Sequence, residues 1–403
     1  MQCLWLTLAD PDPATNGQLI YSKGLIEAVA EAGARLTIVG LARPESPVRL
    51  GSSDRDWHLV PYRRRGRLQN LLSPVPIVAT RGYSEDMAAT IEKLLRVRRF
   101  DAVVFDSIML GWALPLVRTW QARTGGKIVY LAHNHEITVA RRVADAASSV
   151  RRLVRELDAF KVRRLERRLI AAADLVTSNA PEDCRRFVAE PGVPSVAYLP
   201  PGYGGPRVHA RTIDESVPRR AIVVGSFDWP PKRVSLEEFL DVAAPLLSDA
   251  RVDLQIVGAI EPRYLQVMRE RYPEVDFVGP VEDVHPYMAK ARVALVPDTL
   301  GGFKLKGLDY VFNRLPILAM RVALPGMPLQ DGRSISLFDS HAALTRGVVR
   351  LIDDFAQLNA RHERAYAACA QRFDWNRVGR HLLRHMRDAR RPSPQPALQA
   401  AAA

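Results

Sequence analysis

At 403 residues the chain exceeds one ordinary core and predicts two domains. Apolar residues make up 47% and charged residues 25%, which supports two cores and excludes a wholly disordered chain. Three widely spaced cysteines, Cys3, Cys184 and Cys369, exclude a disulfide framework and imply a reducing, cytoplasmic setting.

The first nine residues are apolar, but they lack a basic start and are cut by Asp10-Pro11-Asp12, against a secretion signal. No apolar run reaches the roughly 18 residues of a membrane span. The formal charge of +13 suits a phosphorylated ligand, an anionic membrane surface or nucleic acid, and equally an arginine-rich background.

In chain order, residues 3–8 read as a strand, 20–31 as a helix stopped by Gly33, and 36–39 as a strand. Residues 100–117 read as a buried strand, 102–106, followed by a short helix. Strands at 128–132 and 174–178 flank a long, basic helical region, roughly residues 138–172. A Pro/Gly-rich stretch at 199–206 reads as a linker. Strands then resume at 221–225, 254–258, 275–279, 293–297 and 316–319, several ending in Gly or Pro. A last helix runs from Phe373-Asp374-Trp375 to about residue 388, and the Pro/Gln/Ala-rich tail 391–403 reads as disordered. The alternation predicts an α/β chain with two Rossmann-like, doubly wound domains facing across a cleft, 1–205 and 215–372, with strand order left open.

The chain lacks G-x-G-x-x-G, G-x-x-x-x-G-K-[ST], C-x-x-C and G-x-S-x-G, which disfavours nicotinamide, flavin and P-loop enzymes. Its most informative segment is Gly301-Gly302-Phe303-Lys304-Leu305-Lys306-Gly307-Leu308-Asp309-Tyr310, placed between a strand and a helix. Glycines admit a phosphate to backbone amides, a helix N-terminus favours negative charge, and two lysines supply point charges. Asp309, three residues past Lys306, falls on the same helical face, where a carboxylate accepts sugar hydroxyls. The plainer reading is a glycine turn with solvated lysines.

The segment resembles the nucleotide-sugar motif of retaining, GT-B-type glycosyltransferases of the large family numbered four. The closer likeness is to the branch written G-G-x-[RK]-x-K-x-[LM]-[ED]. The resemblance implies that Asp309 binds the nucleotide ribose, that Lys304 and Lys306 form the basic pair, and that Gly302 and Phe303 form the phosphate cradle. Gly301 stands where the usual motif has its first acid, leaving Asp298 as a candidate for the donor sugar. Val224-Gly225-Ser226-Phe227-Asp228-Trp229-Pro230-Pro231-Lys232 resembles a second segment of that branch. There Ser226 replaces a phosphate-gripping arginine, so the resemblance passes that role to Lys232 or Arg233, beside Gly225. Thr15-Asn16-Gly17-Gln18 resembles, in reduced form, the glycine loop that faces the donor phosphates.

The strand at 128–132 leads into His133-Asn134-His135-Glu136. A histidine at a strand's carboxyl end suits proton handling, and a capping or core histidine is the plainer reading. The resemblance places His133 near the reacting sugar, with His135 and Glu136 as possible helpers. Zinc is disfavoured, since further spaced ligands are lacking, and His381 with His385 reads as an exposed helix face. The D-x-D strings Asp10-Pro11-Asp12 and Asp54-Arg55-Asp56 read as loops rather than metal sites. Basic segments at residues 62–67 and along 141–168 suit docking on anionic lipid, or form a solvated arginine face.

The resemblance implies transfer of a sugar from a UDP- or GDP-sugar to a glycan or lipid-linked hydroxyl acceptor, with retention and with no cofactor or essential metal. It places the acceptor in domain 1–205, with helix 374–388 packed back on it, and the nucleotide in 215–372. The expected setting is cytoplasmic, peripheral at the inner membrane face, in surface-glycan or exopolysaccharide synthesis. The alternatives are another GT-B enzyme, such as a nucleotide-sugar epimerase, and a nucleic-acid-binding protein; the latter is disfavoured because no aromatic-interleaved basic motif occurs.

Overall fold

The computed structural model describes residues 1–46, 55–61, 73–145, 149–193, 195–227, 230–299 and 303–389. Gly301, Gly302, Asp54, Asp228, Trp229, the basic stretch 62–67 and the tail 391–403 lie outside the described residues. The chain divides into two compact units, Met1–Pro201 with Trp375–Ala403, and Gly202–Asp374.

The first unit contains β1 (Gln2–Ala9), α1 (Gly17–Glu31), β2 (Arg35–Leu41), β3 (Arg55–Val60), α2 (Ile77–Arg81), α3 (Glu85–Val97) and β4 (Ala102–Asp106). A 3-10 turn (Ile108–Ala113) and α4 (Leu114–Thr124) follow, then β5 (Lys127–Ala132), α5 (Glu136–Asp145), α6 (Ser149–Ala172), β6 (Leu175–Ser178), α7 (Pro181–Val188) and β7 (Val196–Tyr198). The strands form one parallel sheet in the order β3-β2-β1-β4-β5-β6-β7. Both faces are covered, which is why β4 is buried throughout and apolar up to its closing aspartate. Alternation along β1 sends Leu4 and Leu6 into one apolar layer and Cys3 and Trp5 into the other.

The second unit contains β8 (Arg220–Val224), α8 (Pro230–Asp249), β9 (Asp253–Val257), α9 (Pro262–Arg271), β10 (Val275–Gly279), α10 (His285–Ala289) and β11 (Val293–Val296). It continues with α11 (Leu305–Phe312), β12 (Ile317–Met320), β13 (Ser336–Phe338), α12 (His341–Leu351) and α13 (Phe355–Cys369). Its parallel sheet has the order β10-β9-β8-β11-β12-β13. Helix starts follow local chemistry: Glu261 caps the amides of Arg263 and Tyr264 ahead of Pro262, and Ser340 caps Ala343. Gly258, with φ of +132°, lies where an added Cβ would stand 1.8 Å from the Gly225 carbonyl oxygen, so only glycine fits between β8 and β9.

The last helix, α14 (Trp375–Asp388), packs on α1 within the first unit. A Cβ at Gly379 would lie 2.1 Å from the Ala28 carbonyl oxygen, the mark of close helix approach.

Three strands escape the hydrophobic pattern of the sequence: β3, β7 and β13. The first is a half-buried edge strand with polar residues, and the other two have three residues each. The basic helical region resolves into two helices, α5 and α6. Asp56 sits in β3 rather than a loop. Burial favours its neutral form, but hydrogen bonds from Arg98 and His58 hold its carboxyl below the usual range.

Candidate functional site

In each sheet the strand order reverses beside the first strand, between β1 and β4 and between β8 and β11. Crevices at such switch points, outside the carboxyl ends of the strands, are where open α/β sheets bind ligands. The chemically distinctive side chains lie there, in one cluster per unit.

In the second unit, β11 delivers Pro297 and Asp298. The strand end is pinned by His341, whose Nε2 lies 2.9 Å from the Pro297 carbonyl, and by Ser235, which donates to that carbonyl at 3.3 Å. Lys306 Nζ donates to Asp298 Oδ2 at 2.6 Å, and Lys304 Nζ lies 3.6 Å from Oδ1. All three side chains are no more than 15% exposed, so these charges act with little water between them. Burial alone would raise the Asp298 carboxyl, yet Lys306, Lys304 and the nearby Lys232 hold it well below the carboxylate range. Lys304 is pushed down to about 8 by burial; Lys306 and Lys232 push the same way, against the pull of Asp298. One carboxylate thus lies among three ammonium groups. Lys304 is also the N-cap residue of α11, which no side chain caps.

Asp309, on α11, is turned to other partners. Burial raises its carboxyl, while the neighbouring Tyr203 hydroxyl, which donates to the Pro206 carbonyl at 3.1 Å, and His285 lower it. Tyr203 stacks on Phe312 at 4.5 Å, with the Arg207 guanidinium 3.9 Å above the Phe312 ring. Phe303 packs beside Phe373, ring centres 5.8 Å apart. Gly225 follows β8, and its amide donates to the Val257 carbonyl at 3.0 Å.

In the first unit, β4 ends at Asp106, whose side chain is fully buried. His133 Nε2 lies 2.6 Å from Asp106 Oδ1, while Oδ2 accepts from Trp5 Nε1 and Thr7 Oγ1, each at 3.3 Å. A carboxylate only accepts, so His133 donates through Nε2. Tyr21 meets the His133 ring edge-on at 5.3 Å and donates to the Leu199 carbonyl at 2.7 Å. The next residue, Ser107, has φ of +91°, a strained value for a non-glycine, beside this pair.

His135 is turned into the packing: its ring meets Phe187 edge-on at 4.9 Å and Nδ1 lies 2.7 Å from Thr138 Oγ1. Burial lowers its pKa. Glu136 opens α5 with a carboxyl that burial raises, although Asn134 donates to it at 3.1 Å. Gly17 is the first residue of α1, behind the N-cap Asn16, whose side chain accepts from the Gln18 and Leu19 amides.

The structure therefore gathers Lys232, Lys304, Lys306 and Asp298, and sets Asp309 apart from them against Tyr203. It joins His133 to Asp106, a partner absent from the sequence motifs. The one sequence signal for Asp106 is a carboxylate closing an otherwise apolar strand; Thr7, Trp5 and Tyr203 carry none. Among the described residues no group of three or more His, Cys, Asp or Glu side chains is placed to hold a metal ion.

Residues 218–354 match the family model described as Glycosyl transferases group 1. The MMP alpha-(1->4)-mannosyltransferase of Mycolicibacterium hassiacum is 27% identical over 315 residues, 74% of each chain. Sucrose-phosphate synthase from Thermosynechococcus elongatus has a similar structure, with TM-score 0.72, 17% identity, and coverage of 96% of this chain and 98% of that one. Anabaena HepE, solved with UDP and glucose, superimposes with TM-score 0.63 and 15% identity over 96% and 99% of the two chains. The fold is GT-B, and residues 218–354 carry the likeness to group 1 glycosyl transferases.

Proposed function

We propose that this protein transfers a sugar from a nucleotide-diphosphate sugar, a UDP- or GDP-sugar, to a hydroxyl acceptor, with retention of configuration and without an essential metal. The observation that carries the reading is the gathering of three ammonium groups, Lys232, Lys304 and Lys306, around Asp298 at the carboxyl end of β11. A diphosphate seated against them exchanges water for preorganised positive charge, and the same groups stabilise the nucleoside diphosphate as it leaves. That charge takes the part a divalent cation has in other transferases. Asp309, half-buried on α11, accepts the ribose hydroxyls, and Phe303 and Gly225 line the phosphates. His133, oriented by Asp106, faces the reacting sugar. Asp298, already engaged by two lysines, would reach the donor sugar only after phosphate relieves it of them.

The acceptor we propose is a glycan or a lipid-linked sugar of a surface polysaccharide. A mannosyltransferase and a UDP-glucose-binding protein among the similar chains support hexosyl transfer. Leu153, Val154, Leu157 and Phe160 are exposed on α6 among arginines, with Leu153 74% and Phe160 51% exposed, which supports docking on an anionic membrane. No helix among the described residues is long and apolar enough to cross a membrane.

The deciding test is a thermal-shift panel of UDP, GDP, TDP, ADP and NAD, each with EDTA. A ligand at about 100 times its dissociation constant stabilises by about 2.7 kcal/mol. A shift with UDP or GDP that survives EDTA is the expected result. A shift with NAD alone, or a strict need for metal, refutes the reading.

A further inference from the structure

The side chain of Glu166, on α6, is fully buried, yet it takes no part in the proposed donor chemistry. Its Oε1 accepts from the Tyr130 hydroxyl at 2.9 Å and from the Glu136 amide at 3.1 Å. Its Oε2 accepts from the Ile137 amide at 2.8 Å. Tyr130 lies in β5, three residues before His133, and the two amides open α5, three and four residues after it. One carboxyl therefore grips both ends of the turn that carries His133. It also caps the amides of the first turn of α5 from a different helix, a task normally given to a local N-cap side chain.

We propose that Glu166 is a positioning residue for His133, holding the 133–137 turn so that the imidazole meets Asp106. The proposal rests on the reading of His133 given above. The turn has other anchors as well: His133 on Asp106, the His135 amide, which donates to Asp183 at 3.2 Å, and the His135 ring on Thr138 and Phe187. Without the Glu166 carboxyl two amides and a tyrosine hydroxyl lose their acceptor inside the core, and the turn must shift to rehydrate them. Burial, reinforced by the neighbouring Glu136, pushes the Glu166 carboxyl up to about 8. Glu166→Gln keeps one acceptor oxygen but sets an NH2, which only donates, where the second oxygen accepts, so it is the milder variant rather than a full replacement.

The test uses the full chain labelled with nitrogen-15 at histidine, with the His133 ring signals assigned by His133→Gln. In Glu166→Ala those signals should move towards a free imidazole, and release of nucleoside diphosphate from UDP-glucose and GDP-mannose should fall tenfold or more. Affinity for UDP and GDP should stay within twofold. Glu166→Gln, which keeps one of the two acceptor oxygens, should move the signal less and slow release less than Glu166→Ala. The double variant His133→Ala/Glu166→Ala should be no slower than His133→Ala, because a residue acting through another adds nothing once that other is gone. An unmoved His133 signal, or losses that multiply, overturns the proposal. If Glu166→Ala does not fold, Tyr130→Phe removes one of the three donors and should move the same signal less; no movement is again a refutation. If His133→Ala keeps full turnover, the reading of His133 fails, while the ring signal still reports whether Glu166 orders it.

Discussion

The depressed Lys304 ammonium makes nucleotide binding depend on pH in a direction that can be worked out beforehand. In the free protein burial, helped by Lys306 and Lys232 and opposed by Asp298, pushes the Lys304 ammonium down to about 8. A bound diphosphate favours the charged lysine and raises that value, so the complex takes up a proton. Affinity for UDP or GDP is then full below pH 8 and declines above it. At one unit above its pKa about a tenth of Lys304 is charged, so affinity at pH 9 should be roughly tenfold weaker than at pH 7, about 1.4 kcal/mol. At pH 8 about half the molecules must gain a proton, giving an uptake of ~0.5 per nucleotide bound. Isothermal titration calorimetry with UDP and GDP at pH 7, 8 and 9, in two buffers of different ionisation heat and with EDTA, reads both quantities. Lys304→Arg keeps its charge throughout and should bind with little dependence on pH. Flat affinity in the unaltered protein, with no proton uptake, would show that Lys304 does not meet the phosphates. For the unliganded protein the linkage concerns stability: the charged lysine is disfavoured on folding, so that cost is present below pH 8 and fades as pH rises towards 10.5.

Asp309→Ala should lower UDP or GDP affinity at least tenfold by calorimetry while circular dichroism stays unchanged; unaltered affinity removes Asp309 from the donor site. His133→Ala should slow transfer or donor breakdown far more than it weakens nucleotide binding, and equal losses would mark a purely structural histidine. Gly258→Ala should destabilise by about 3 kcal/mol or more, from a strained φ and a Cβ 1.8 Å from the Gly225 oxygen, read as a lowered melting temperature. The protein should co-float with phosphatidylglycerol vesicles but not with neutral ones, and Leu157→Glu with Phe160→Glu should abolish this; equal binding to neutral vesicles would exclude an electrostatic dock.

Much of the architecture was readable along the chain because parallel strands covered on both faces must be apolar almost throughout. Residues 102–106 and 128–132, and glycines at the ends of strands such as Val275–Gly279, announce themselves in that way. The lysines, Asp309 and His133 were likewise visible, as charged or titratable groups following such strands. Local sequence determined those elements and the kinds of side chain at their carboxyl ends. Pairing was decided only in three dimensions. Asp106 meets His133 because β4 and β5 lie side by side, and Glu166 caps α5 because α6 returns across β5. Lys306 and Asp309 share a short helix, yet one turns to Asp298 and the other to Tyr203. Most of these contacts join residues tens of positions apart in sequence, and burial determines their strength. Periodicity records which face of an element is buried, not what it is buried against.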